Sequence, residues 1–554
     1  MQEKRVPVLI VGGGLTGLSA AVFLAWRGVR SLVVERHPDL LIHPRARGFN
    51  PRTVELYRQV GLEPAILAAC NYAGDFRKVI LLRADTLAAE DYQRIEQPAE
   101  EERFDDVSPC NFAGIDQDRL EVLLRDRARA LGAEVRFATE MTAFERDAAG
   151  ARAVIRDLRN GEESLVHAEY LVAADGHRSP IREHLGIPVR GPGPLWQAVT
   201  VLFEADLQPA LRGRQVFMSY LNKPRPGTVL MPHDGRRRWV FATGLATHAG
   251  EQLSDFTDER CVGLIREAVG LAELDVRIIS QIPGTDLKVL CFPISAQIAE
   301  RYRTDRVFLA GDAAHAIPPT GGFGANLGIQ DAYDLAWKLA CVLKDQAGAG
   351  LLDTYQADRL PVAHFTLGQA LARMHDRVRP GTGPQAPPLV DYTSVVFGYQ
   401  YRSTAIPGAI DDGAAALKPE ELRAQPGTRA PHAPITAEHG PRSILDLLGR
   451  DLVLVVGRAG ARWREAARSV GVRLRLPLTL LQLGTELEDP SGKIEERFGL
   501  GVQSAVLVRP DGFVAWRAED ARAHPTESLE RAVGRIMGRG SAVLSSSPAA
   551  DLAR

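Results

Sequence analysis

Nowhere in the chain do two cysteines form a Cys-x-x-Cys pair, and the five present, Cys70, Cys110, Cys261, Cys291 and Cys341, are widely spaced and odd in number. That argues against a disulfide framework and a cysteine metal cluster, and leaves thiols that pack in a reducing cytoplasm. Long apolar runs are missing as well. No stretch approaches the ~18 residues that a bilayer span needs, so no membrane is expected as a partner. Nor is there a surplus of charge. With 67 basic against 69 acidic residues the formal charge is -2, which supplies no field for nucleic acid or an anionic surface. Small molecules remain as partners and the cytoplasm as the compartment. At 554 residues the chain is too long for one core, and about 150 residues per domain predicts three or four units.

What is present begins at once. The apolar run 8–11 reads as a buried parallel strand, and Gly12, Gly14 and Gly17 follow it at the spacing of a dinucleotide fingerprint. Gly12 permits the tight turn, Gly14 lets backbone approach a pyrophosphate, and Gly17 lets the next helix pack closely on the strand. Leu15 and Thr16 lie at the start of that helix, whose N-terminus faces the anion. A second strand ends at Glu35, where a carboxylate accepts hydrogen bonds from an adenosine ribose, with Arg36 next to it. Strand, turn, helix, strand and acid together carry the reading; the glycines alone would not.

Residues 36–61 form an arginine- and proline-rich loop that runs into a helix near Arg52. Arg45 and Arg47 are placed to reach phosphate, or to form an ordinary solvated basic loop. Residues 115–132 are helical, with Gln117 near the start and Gly132 as C-cap. Segments 134–138 and 153–157 alternate like strands of a small antiparallel meander. A short apolar strand then ends in Asp175-Gly176, before a helix opened by Ser179-Pro180. From about 188 to 283 the helical period fades and strand-like runs predict an inserted antiparallel sheet. His233 to Arg236 supply a hairpin turn between two of those strands. Met218, Tyr220, Met231, Trp239 and Phe241 alternate on the sheet and are the substrate candidates, core packing being the default for any one of them. Residues 306–312 return to the parallel sheet and end in Gly311-Asp312. The glycine-rich segment after Pro318-Pro319 then opens a helix, where Gly322 and Gly324 let main chain lie against a flat ligand and first-turn N–H groups bind a carbonyl or anion. His315 is read as packing that loop. Residues 379–388 and 426–434 read as linkers. Beyond them lies a separate unit with strands at 452–456, 504–508 and 513–517, a turn at Pro510-Asp511-Gly512 and a helix over 526–537.

Three separated motifs in this order resemble the FAD-dependent aromatic hydroxylases, the single-component flavoprotein monooxygenases of the para-hydroxybenzoate and phenol hydroxylase type. The resemblance covers residues 1 to about 376 well, and its Gly-Gly-Phe-Gly-Ala-Asn loop at 321–326 is similar to that of bacterial polyketide hydroxylases and of chlorophenol hydroxylases. It implies an α/β fold: a Rossmann-like FAD-binding domain (1–187 and 284–376), an inserted antiparallel substrate sheet (188–283), connecting segments (377–427) and a thioredoxin-like C-terminal domain (428–538). Residues 539–554 are expected to be a disordered tail. FAD is the implied cofactor, bound tightly and without a covalent link. Asp312 would hold its ribityl chain, Asp175 would serve FAD and the pyridine nucleotide, and Pro319, Gly322, Gly324, Ala325 and Asn326 would lie along the ring. Gln117 and an arginine of Arg-Ala-Arg-Gly, either Arg45 or Arg47, match further positions that contact FAD. NADPH or NADH would be the hydride donor, bound transiently because no second Rossmann unit is visible. O2 would be activated as a flavin C4a-hydroperoxide, with an aromatic substrate as acceptor and no nucleophilic residue required. The alternatives are a Baeyer-Villiger oxygenase of a polyketide ketone and a hydroxylase of a simple or chlorinated phenol. A homodimer is a further expectation. Without a Cys-x-x-Cys pair the C-terminal unit has no redox role.

Overall fold

The computed structural model of the chain describes residues 2–40, 46–70, 80–95, 104–233, 237–282, 284–378, 388–409, 413–437, 440–521 and 524–539. Among these, the N-terminal motif nucleates an eight-stranded sheet whose central strands run parallel. Strand Gln2–Val11 lies between Ser31–Val34 and Glu163–Ala173, and Val307–Leu309 pairs parallel beyond the latter. Val8, Leu9, Ile10, Leu32 and Val33 are fully buried, as both-faced coverage of a parallel sheet demands. Helix Leu15–Trp26, here the nucleotide helix, covers one face together with helix Phe323–Leu343, the loop helix.

Segment 134–138 does not belong to an antiparallel meander. Glu134–Arg136 pairs parallel with Ser31–Val34 at the sheet edge. Ala138, at φ 49°, turns the chain, and Thr139–Arg146 then forms the hairpin with Ala151–Asp157. Alternation reports one-sided burial and says nothing of the partner's direction, which is why the pairing was misread.

The second sheet, nine-stranded among the described residues, is wider than 188–283. Its long strand Val189–Glu204 pairs antiparallel with Arg238–Gly244 and with Val289–Ala299. At the other side Val216–Leu221 pairs parallel with Ile80–Ala84, a strand recruited from far upstream. Strands Thr228–Pro232 and Arg238–Gly244 form the expected hairpin, although Asp234 to Arg236 of its turn lie outside the described residues. A helix within this region was also missed. Asp258–Val269 has a Thr257 cap, Asp258 and Glu259 in its first turn and Gly270 at φ +82° as its stop. Those signals were available in the sequence, and Cys261, Ile265, Ala268 and Val269 make its buried face. This helix covers one face of the sheet, where Val201, Phe203, Leu230, Trp239 and Phe241 form a separate core.

The C-terminal unit has a four-stranded sheet in which Leu452–Val456 pairs parallel with Leu478–Gln482 and antiparallel with Ala505–Val508, followed by Val514–Ala518. Helices Ala461–Leu474 and Pro525–Ile536 pack together beside it, giving the thioredoxin-like arrangement. The expected tail lies almost wholly outside the described residues. No helix among the described residues is long and apolar enough to cross a membrane.

Candidate FAD and substrate site

Three motifs far apart in sequence meet at one end of the parallel sheet because their strands are parallel and in register. Val34, Val11, Ala173 and Leu309 form one row across the sheet. From that row the chain leaves as Glu35, Gly12, Asp175 and Gly311-Asp312, at the carboxyl ends where open α/β sheets bind ligands.

Each turn there is specified by close approach. Gly12 adopts φ +111°, and a Cβ on it would lie 2.1 Å from the Ala174 carbonyl oxygen; one on Gly17 would lie 1.9 Å from the Gly12 oxygen. A Cβ on Gly14 would meet nothing nearer than Glu121 Oε1 at 3.7 Å, so the protein itself does not require that glycine and an approaching pyrophosphate would. Neither the nucleotide helix nor the loop helix has a side-chain cap or an acid in its first turn. Asn50, Thr257 and Asp391, by contrast, each cap the helix that follows them. The two bare N-termini leave backbone donors and the positive dipole end for an anion and a carbonyl.

Glu35 lies across the first turn, its Oε2 accepting from the Gly13 N–H at 2.6 Å and its Oε1 from the His37 N–H at 2.9 Å. Burial opposes its ionisation, but those donors and the His37 ring outweigh it and hold the carboxyl below the usual carboxylate range. Leu15 is buried. Thr16 packs on the third motif, its Oγ1 standing 2.3 Å from where a Cβ on Gly311 would be and 2.6 Å from one on Gly328. Asp312 is exposed, although Gly311, Ala313, Ala314 and His315 around it are buried. A carboxylate turned out of a buried turn, beside bare helix ends and open glycine faces, fits the ADP and ribityl portions of FAD.

Asp331, which sequence reasoning passed over, holds that turn. Its Oδ2 accepts from the Gly311 N–H at 3.2 Å and contacts His315 Nε2 at 2.6 Å, while Oδ1 accepts from Arg359 Nε at 2.7 Å. Burial opposes its charge, yet His315 and Arg359 prevail and keep it below the usual carboxylate range. His315 is therefore a packing residue, as expected. An acid, Asp331, within an apolar helical face was the available signal for a buried pair.

Asp175 serves a local purpose. Its oxygens accept from Ser179 Oγ at 2.7 Å and the Ile181 N–H at 3.1 Å, and burial pushes its carboxyl above the usual range. Arg182 of the same segment donates to the Ala313 carbonyl at 3.0 Å, tying this motif to the Asp312 turn. Gln117 braces the arginine loop: Oε1 accepts from the Ala46 N–H at 3.2 Å and Nε2 donates to Glu121 at 2.8 Å. Arg36 and Pro319 are exposed at the rim. Asn326 uses its side chain internally, accepting from the Asn50 N–H at 3.0 Å and donating to the Gly322 carbonyl at 2.7 Å. Gly322 at φ +65°, Gly324 and Ala325 complete the first turn of the loop helix. Arg45 lies outside the described residues.

Two expectations are corrected. Arg47 does not face the phosphate region; it is buried, donating through Nε to Asp116 at 2.7 Å and to the carbonyls of Pro232 and His233. An arginine in a basic loop can pair inward once a buried acid is in reach, and sequence separation hid Asp116 from view. Of the substrate candidates, Trp239 and Phe241 are core residues beneath helix Asp258–Val269. Strand register puts Met218, Tyr220 and Met231 on the opposite face, where the Arg377 guanidinium of helix Asp353–Val378 lies 5.8 Å from the Tyr220 ring.

A parallel α/β sheet with two bare helix ends, joined to a second sheet that carries a core of its own, is the arrangement expected of a flavin-dependent aromatic-ring hydroxylase. Residues 5–370 match the FAD binding domain family, and residues 423–540 match the aromatic-ring hydroxylase C-terminal domain. The chain belongs to this family of FAD-dependent monooxygenases. It is 39% identical to aklavinone 12-hydroxylase of Streptomyces purpurascens, over 97% of this chain and 100% of that one. It is 40% identical to 4-methyl-5-nitrocatechol 5-monooxygenase of a Burkholderia species, over 97% and 98% of the two chains. The crystal structure of aklavinone-11 hydroxylase with FAD and aklavinone superposes with a TM-score of 0.90 at 37% identity, covering 97% of this chain and 100% of that one.

Proposed function

We propose that the protein hydroxylates a polycyclic aromatic polyketide, using FAD, NAD(P)H and O2. The observation that carries this reading is the full-length likeness to a hydroxylase solved with FAD and aklavinone together. Bound and reduced FAD supplies the transfer of one oxygen atom from O2 to an electron-rich ring. The chain's own residues bind and orient. Glu35 accepts from the adenosine ribose, the N-terminus of the nucleotide helix receives the pyrophosphate, and Asp312 accepts from a ribityl hydroxyl. The first-turn N–H groups near Ala325 and Asn326 face a ring carbonyl. Met218, Tyr220 and Met231 hold the aromatic substrate on the sheet face opposite the core of Trp239 and Phe241. The ring pairs Phe112 with Phe217, at 6.2 Å, and Phe323 with Tyr392, at 5.6 Å, give the surroundings an apolar lining that limits water.

The likeness to a nitrocatechol monooxygenase favours a second reading, a smaller phenol as substrate. Oxygen uptake and NADPH oxidation with phenols, naphthoquinones and tetracyclic polyketides, followed by product structure, separate the two. Uptake stimulated by tetracyclic compounds supports the first reading. Stimulation by simple phenols alone sinks it, and a ring-expanded lactone product would mean Baeyer-Villiger insertion.

A further inference from the structure

The C-terminal unit has no cysteine, yet it reaches toward the Asp312 turn through an unbroken set of buried contacts. Its turn from Arg509 to Gly512 is inserted among helices of the FAD-binding domain. Arg509 donates to Asp358 Oδ2 at 3.0 Å, pairs with Asp511 of its own turn and lies 3.5 Å from Asp334. Lys338 Nζ donates to Asp334 at 2.7 Å and to Asp358 at 2.8 Å. The same Arg509 guanidinium stands 5.3 Å from the Tyr401 ring, whose other contact from this unit is Phe513, stacked at 4.0 Å and 25°. Tyr401 Oη accepts from Arg359 at 2.9 Å, and Arg359 in turn grips Asp331. Asp331 holds the Gly311 N–H, one residue before Asp312.

Every member of this line is nearly inaccessible: Arg509, Arg359 and Asp331 are 0% exposed, Phe513 1% and Tyr401 2%. Burial in particular keeps the Tyr401 phenol well above its ordinary pKa, so it stays a neutral acceptor for Arg359. Among the described residues the Arg359 side chain donates to Asp331, Tyr401 and, at 3.1 Å, the Leu327 carbonyl. Asp331 and Leu327 belong to the FAD-binding domain, while Tyr401 packs against Arg509 and Phe513 of the C-terminal unit. A planar guanidinium with one prong fixed from outside the domain presents its remaining donors to Asp331 in a set orientation.

We propose that Arg509 and Tyr401 are positioning residues for the cofactor, through which the C-terminal unit fixes the Arg359–Asp331 clamp and so the Gly311-Asp312 turn. The proposal rests on the reading of Asp312 as the ribityl contact. It gives a cysteine-free thioredoxin-like domain a part in the reaction without any electron transfer. Contiguous contacts alone do not establish coupling, so the test measures coupling directly.

Full-length holoenzyme carrying Tyr401→Phe, Arg509→Lys, Asp331→Asn, Asp312→Ala or the Tyr401→Phe/Asp331→Asn pair is compared for FAD dissociation, by flavin fluorescence on dilution, and for melting temperature. Tyr401→Phe deletes one hydroxyl and leaves the buried charges in place, so it folds, and FAD retention should weaken by about three- to tenfold. Arg509→Lys keeps the charge and loses the fork, and should act in the same direction. The double variant should retain FAD as Asp331→Asn does, to within about twofold, because both changes act through one clamp. Wild-type FAD retention in Tyr401→Phe and Arg509→Lys, with or without a lower melting temperature, overturns the proposal, as does a double variant whose effects multiply. If Asp331→Asn does not fold, the two conservative variants decide alone. Full FAD occupancy in Asp312→Ala would instead overturn the underlying reading of that residue.

Discussion

Arg47 separates two accounts of the arginine loop, one in which it reaches phosphate and one in which it fastens the hairpin end of the second sheet to the start of helix Gln117–Ala130. Its side chain and that of Asp116 are 7% and 4% exposed, and two of its donors go to the carbonyls of Pro232 and His233, at the end of the strand that carries Met231. Replacing it with alanine removes one side of a buried, hydrogen-bonded ion pair, which costs about 3–5 kcal/mol. At 2–4 °C per kcal/mol for a domain of 150–250 residues, the melting temperature should fall by roughly 6–20 °C. Because the bonds of Arg47 run to Asp116 and the hairpin carbonyls and none to the Gly311-Asp312 turn, FAD dissociation should change by less than about threefold, a bound set by the sub-kcal/mol coupling of sites that share no partner. Substrate KM should rise, since the strand bearing Met231 loses its anchor. Arg47→Lys keeps the charge and should recover part of the melting temperature. The assays are thermal melting followed by tryptophan emission, flavin fluorescence on dilution, and steady-state kinetics. A variant that melts like wild type and loses FAD tenfold or more would refute the reasoning and return Arg47 to the phosphate.

Asp312→Ala should release most of the FAD, because a charge-assisted hydrogen bond of about 1.5–3 kcal/mol is lost; a fully yellow protein after gel filtration would contradict it. Met231→Ala or Tyr220→Phe should shift preference among aromatic substrates with little effect on melting, while Trp239→Ala should cost about 3–5 kcal/mol of stability at unchanged preference. Equal effects from both faces of the sheet would show that the division is wrong. Burial, aided by Asp358 and Asp511, pushes the Asp334 carboxyl up to about 7 from 3.8. Across that window the folded chain keeps a proton that the unfolded chain has released, so this group's contribution to stability falls as pH rises. The melting temperature of Asp334→Asn should therefore gain on wild type between about pH 5 and pH 8, and a constant difference over that range would count against it.

The cofactor end of the molecule was legible because its requirements are local. Gly12, Gly17 and Glu35 answer to a turn, a close helix contact and a strand end, all contained within one βαβ unit. The turn at Gly311-Asp312 and the helix opened by the glycine-rich segment after it were legible for the same reason. What failed was anything that depends on a distant partner. Arg47 was misread because Asp116 lies 69 residues away, and Asp331 was passed over because its value comes from Arg359 and Gly311 on other elements. The alternating residues of the inserted sheet could be divided into two faces but not assigned to core or cavity. That assignment was made by helix Asp258–Val269, which covers the face bearing Trp239 and Phe241. Its cap and stop were in plain view, and a strand-rich neighbourhood outweighed them.

The division between the two sheets also accounts for how substrate and cofactor can be changed independently. The residues proposed to hold the cofactor lie at the carboxyl ends of the parallel strands and in the first turn of the loop helix, where a side chain added at Gly12 or Gly17 would strike backbone within about 2.1 Å. Such positions have almost no freedom. The second sheet carries its own core under helix Asp258–Val269; on its other face Tyr220 is buried beside Arg377, while Met218 and Met231 are half-buried and add least to holding the sheet together. Met218 and Met231 can therefore vary in size and polarity at small cost to folding or to FAD. Relatives of about 40% identity named for aklavinone and for a nitrocatechol fit this arrangement. Overall identity then reports the shared cofactor frame, and a side chain on the face opposite the sheet's core, rather than another percentage point of likeness, is what would decide between a tetracyclic and a single-ring substrate.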